Sequence, residues 1–191
     1  MKKYKLTNET IEVEGRTLHR IEAVRDFGDV KAGDLGGFIE REDNLSHEGD
    51  CWIYDNACVY DGAYVCDNAE VYGSAKVSGN ACVYGSARLG DSACVSGDAC
   101  VSGDAWVCDY ASVSGSAWVC DYASVCGEAS VSGHADVGGE AQVCGHAQVW
   151  DKATITGSAK ITGHAQVGDC ARVGGAARVR GRSLVAGNAS K

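Results

Sequence analysis

The chain has 191 residues, a formal net charge of −9 and no proline. Its length fits one domain with a short cap, and its acidity argues against nonspecific binding to nucleic acid or to anionic membranes. No apolar run is long enough to span a bilayer, and no charged-then-apolar leader follows Met1. The 11 cysteines are odd in number and stand where Ser, Tyr and Trp also occur. Without an export signal they read as reduced thiols of a cytoplasmic protein, not as a disulfide scaffold.

In chain order, residues 1–34 form the first element. Apolar and polar residues alternate from Ile11 to Ile21 around Gly15-Arg16, which predicts a β-hairpin cap with its turn starting on Gly15. Residues 35–191 follow another rule. From Ile53 to Val185 a six-residue unit repeats 23 times without insertion, with an aliphatic residue at its first position. The third position accepts only Gly or Asp, and the fifth is Ala except at Ser183.

Traced backward in the same phase, residues 35–52 make a degenerate entry coil: Gly37, Asp43 and Gly49 keep the third position, while Arg41 and His47 replace the aliphatic one. Atypical terminal repeats are usual in solenoids. At the other end the repeat runs to Ala189 without a covering helix, so the last coil is expected to present an open β edge, near Arg178, Arg180 and Arg182.

The aliphatic residue and the Ala lie an even number of residues apart, so both can face inward on a pleated backbone. Branched Val and Ile favour that extended conformation, and Gly or Asp tolerates the left-handed angles of a corner. A missing N–H would interrupt the coil-to-coil ladder, consistent with the lack of proline. The second, fourth and sixth positions are expected to point outward and to tolerate substitution, so that a Tyr at Ser102 would be accommodated.

These units resemble the hexapeptide-repeat family over residues 53–190. The resemblance implies an all-β fold, a left-handed parallel β-helix with three hexads per coil. With 18 residues per coil the units give between seven and eight coils, a prism of roughly 35–40 Å.

Residues 18 apart should then stack into columns. Cys108, Cys126 and Cys144 share one column, Cys82 and Cys100 another, and Ser78, Ser96, Ser114 and Ser132 a third. No Cys-x-x-Cys pair occurs, so the thiols are read as structural and no metal is expected. The string Ala-Trp-Val-Cys-Asp-Tyr-Ala-Ser-Val occurs at 105–113 and again at 117–125. It places Trp106, Tyr110, Trp118 and Tyr122 in an aromatic belt, the candidate binding or oligomer surface. A second aromatic group (Trp52, Tyr54, Tyr60, Tyr64, Tyr72, Tyr84) should pack mostly under the hairpin.

Two functional readings follow. The resemblance extends to uncharacterised bacterial and phage-borne hexapeptide proteins, and the unbroken repeat lacks the protruding loop of the family's acyltransferases. The preferred expectation is therefore a non-catalytic binding or structural rod without a cofactor, of phage or prophage origin, acting on a host protein or a small molecule. The alternative is an acyltransferase using acetyl-CoA. The family's enzymes are trimers with a catalytic His at the subunit interface, so a homo-oligomer is expected in either case. Of His134, His146 and His164, the pair His146 and His164 stacks in one column with Glu128 one coil before, a spacing suited to general-base chemistry.

Overall fold

The computed structural model describes residues 2–187. Ala189 and the end of the last coil lie outside the described residues. From Trp52 onward the chain consists of short strands, each built on the sixth and first positions of the hexad, such as Cys100–Val101. They stack in parallel with partners 18 residues apart, Cys100 between Cys82 and Trp118. Three faces result. One runs from Trp52–Ile53 to Arg178–Val179, a second from Cys58–Val59 to Leu184–Ala186, and the third from Tyr64–Val65 to Arg172–Val173. The fold is a parallel β-solenoid of about eight coils.

The recurrent coil-to-coil bonds run from the sixth, second and fourth amides of the hexad. Cys100, Ser102 and Asp104 donate to the carbonyls of Ala117, Val119 and Asp121 at 2.9, 2.9 and 2.7 Å. The first and fifth positions fill the prism, and one continuous apolar core reaches from Tyr4 to Val173. From Asp55 to Gly181 every third position of the hexads has positive φ, between 53° at Asp55 and 75° at Gly145. Asp serves there because its carboxylate accepts the amide of the third residue one coil on: Asp109 from Gly127 at 2.8 Å, Asp121 from Gly139 at 2.9 Å.

The cap departs from expectation in its turn. Strands β1 (Tyr4–Val13) and β2 (Arg16–Ala23) pair Val13 with Arg16, so the turn is Glu14-Gly15, with φ of 52° and 78°. Two left-handed central residues match the strand twist, and Gly takes the second site instead of the first. β2 pairs antiparallel with β3 (Leu35–Ile39), which pairs parallel with Cys58–Val59. The hairpin therefore extends one face of the coil. Tyr4 and Phe27 meet the Trp52 ring at 6.2 and 5.3 Å, plugging the end of the prism. Leu18, Phe38, Cys58 and Tyr60 form a second cluster outside it. Trp52 and Tyr60 are thus covered as expected, whereas Tyr64 stays exposed.

The entry coil is out of the expected phase. Ile39 pairs with Val59 and Leu45 with Val65, offsets of 20, so both occupy the aliphatic position and not that of Ala. Two extra residues are absorbed before Gly49, from which the 18-residue spacing holds. A 3₁₀ turn at Glu42–Asn44 leaves carbonyls of the next coil to a side chain. The buried Asn44 amide donates to Asp61 O at 3.2 Å and Ala63 O at 2.9 Å.

Candidate functional site

The edge between the faces that carry Trp106 and Ser112 gathers the chemistry-bearing side chains. Glu128, His146 and His164 donate their amides to the carbonyls of Gly145, Gly163 and Gly181, each at 2.7 Å, which fixes these fourth-position residues in one column. Glu128 Oε2 lies 3.1 Å from His146 Nδ1, and the His146 and His164 rings stack at 4.6 Å and 2°. The carboxylate on Nδ1 selects the tautomer and orients the ring, leaving Nε2 free to accept a proton. Tyr110 precedes Glu128 in the column and Arg182 follows His164. His134 sits on a different edge, with Asp151, Lys152, Asp169 and Cys170 around a groove of about 540 Å³.

Beside the histidine column runs the thiol column. Burial, then Asp109, Cys126 and Asp91, push the Cys108 thiol up to about 12. Burial and Cys144 push up Cys126. Thiols held protonated at neutral pH are poor nucleophiles, so His146 is the better-placed reactive group on this edge.

The belt aromatics are exposed, Trp106 and Trp118 at 50%, Tyr110 at 72% and Tyr122 at 68%. The two indoles lean along the rod: Trp106 Nε1 donates to Tyr72 Oη at 3.1 Å and Trp118 Nε1 to Ser102 Oγ at 3.4 Å. Ser102 is consequently only 6% exposed, which overturns the expectation that its position is open to a Tyr. The same draping recurs at Tyr72, whose ring occupies the space a Cβ on Gly90 would need, and at Trp150 over Gly168. Tyr72 and Trp150 follow the offset of 18 to their glycines, whereas Trp106 and Trp118 reach their partners at offsets of 34 and 16.

Charge also divides the edge. Residues 50–150 hold 13 acidic and two basic side chains, and 151–191 two acidic and seven basic. Lys160 pairs in register with Arg178, next to the coil that carries Arg180 and Arg182. Cations therefore lie one to two coils beyond His146, roughly 5–10 Å along the rod.

No family model matches the chain. A protein of Escherichia coli (strain K12) called Uncharacterized acetyltransferase YdcK is 44% identical over 72 residues, covering 33% of this chain and 22% of that protein. The chain thus matches well under two thirds of the relative's length. Together with the stacked hexads, this similarity supports the family resemblance. The chain is a parallel β-solenoid built on a repeat of six residues. The same finding corrects the expectation of a non-catalytic binding or structural rod, phage-borne or otherwise, because the relative bears the name of an acetyltransferase. The unbroken coil had argued against catalysis, yet stacking alone brings Glu128 onto His146 without any loop. No helix of the described residues is long and apolar enough to cross a membrane.

Proposed function

We propose that this solenoid is an acyltransferase that moves an acetyl group from acetyl-CoA to a hydroxyl or amine acceptor. The 3.1 Å contact between Glu128 and His146 carries the reading. Acetyl-CoA supplies a thioester, activated toward attack. His146 Nε2 takes the acceptor's proton as the acceptor oxygen or nitrogen bonds to the acetyl carbon and the C–S bond breaks. The imidazolium, stabilised by Glu128, returns that proton to the departing sulfur. A positioned base of this kind contributes about 10²–10⁴-fold.

Arg180, Arg182 and Lys160, at the basic end of the same edge, suit the phosphates of the donor. A second copy of the chain against the exposed Trp106 and Tyr110 would shield the edge from water, in keeping with the homo-oligomer that the resemblance implies. The relative's name supports the reaction class. Acetyl-CoA at a hundredfold excess over its Kd should stabilise the protein by about 2.7 kcal/mol, several degrees of melting temperature. Arg180→Ser with Arg182→Ser should reduce that shift. No shift at millimolar acetyl-CoA would overturn the proposal.

A further inference from the structure

Asp91, Cys108 and Asp109 meet on the same edge, and their ligand atoms all lie within 4.8 Å of one another. Cys108 is a free thiol, 7% exposed. Its Sγ lies beside Cys126 and the two carboxylates. Both carboxylates are already oriented: Asp109 N–H donates to Asp91 Oδ2 at 3.2 Å, and Gly127 N–H to Asp109 Oδ2 at 2.8 Å. One oxygen of each remains for a ligand. Neither carboxylate forms an ion pair among the described residues. Both carboxylates are solvent-exposed and the thiol is nearly buried, so two anions and a soft donor converge on one point that a cation can reach from water.

We propose that Asp91, Cys108 and Asp109 bind one divalent transition-metal ion of the zinc class, through one thiolate and two carboxylate oxygens. The thiolate selects a borderline-soft ion over Mg²⁺ or Ca²⁺, and three protein ligands leave a fourth tetrahedral position for water. The amides on Oδ2 play the orienting role that outer-shell bonds play at metal sites. Binding releases the Cys108 proton to solvent, so affinity rises with pH across the neutral range. The site is roughly 10 Å from His146 along the rod. It clamps two adjacent coils and does not depend on the acyl-transfer reading.

Co²⁺ titration of the chelator-treated protein tests this, because cobalt bound to a thiolate shows sulfur-to-metal charge-transfer absorption. Wild type should take up one ion per chain with that band, and zinc should displace it. Cys108→Ser should abolish the band, and Asp91→Asn and Asp109→Asn should each weaken binding at least about tenfold. Cys82→Ser should change nothing. Ser occupies equivalent positions in other coils and Asn tolerates the left-handed corner, so these variants should retain the wild-type circular dichroism. A wild type without the band would overturn the assignment, as would a band undiminished in Cys108→Ser or binding unchanged in both Asn variants.

Discussion

Gly97 separates the two demands made on the third position of the hexad. Its φ is +72°, and a Cβ there would lie 2.8 Å from Gly115 O and 3.0 Å from Gly115 N. In Gly97→Ala the left-handed backbone alone costs about 1–2 kcal/mol, and Gly115 must also move. Gly97→Asp carries the same Cβ, but its carboxylate can accept the Gly115 amide as Asp109 accepts that of Gly127 at 2.8 Å. Such a bond contributes about 0.5–1.5 kcal/mol, and more with a charged acceptor. At about 2–4 °C per kcal/mol for a chain of this size, the Ala variant should melt about 2–8 °C below wild type. The Asp variant should fall by half of that or less. Thermal and urea melts followed by circular dichroism in physiological salt, which screens the neighbouring Asp98, make the comparison. An Asp variant no more stable than the Ala variant would refute this account of the corner.

Asn44→Ala removes the side-chain donor to the buried Ala63 carbonyl, while Arg41 still donates to Asp61 O, and should cost about 1–3 kcal/mol in the same melts. Alkylation near neutral pH with peptide mapping should label exposed Cys94 and Cys170 well before Cys108 and Cys120, whose thiols burial pushes up to about 12 and about 11; simultaneous labelling would contradict it. Burial lowers the pKa of His47. The unfolded chain therefore binds that proton first, and stability should fall as pH drops through about 6.5. His47→Gln should flatten that dependence between about pH 7.5 and about pH 5.5, and an unchanged slope would exclude His47 as its source.

The coil was readable because each recurrent residue answers one backbone demand: Val95 and Ala99 must face inward, and Gly97 must adopt positive φ. The entry coil was not, because Asn44 uses a side chain to replace ladder bonds and absorbs two residues without a periodic mark. Glu128 and His146 were legible from their offset of 18. Side chains that reach across columns were not: Trp106 meets Tyr72 at an offset of 34, and Trp118 meets Ser102 at 16. Asp91 and Cys108 escaped for a similar reason, since they belong to neighbouring columns and read as separate ladders.

The most direct test of the proposed chemistry is the rate of CoA release from acetyl-CoA across a panel of hydroxyl and amine acceptors, for wild type and His146→Asn. Wild type should release CoA in an acceptor-dependent manner, and the variant should be slower by at least about a hundredfold while keeping the acetyl-CoA thermal shift. Equal rates in the two proteins, or no acceptor-dependent release by wild type, would contradict the assignment of His146 as the base of an acetyl transfer.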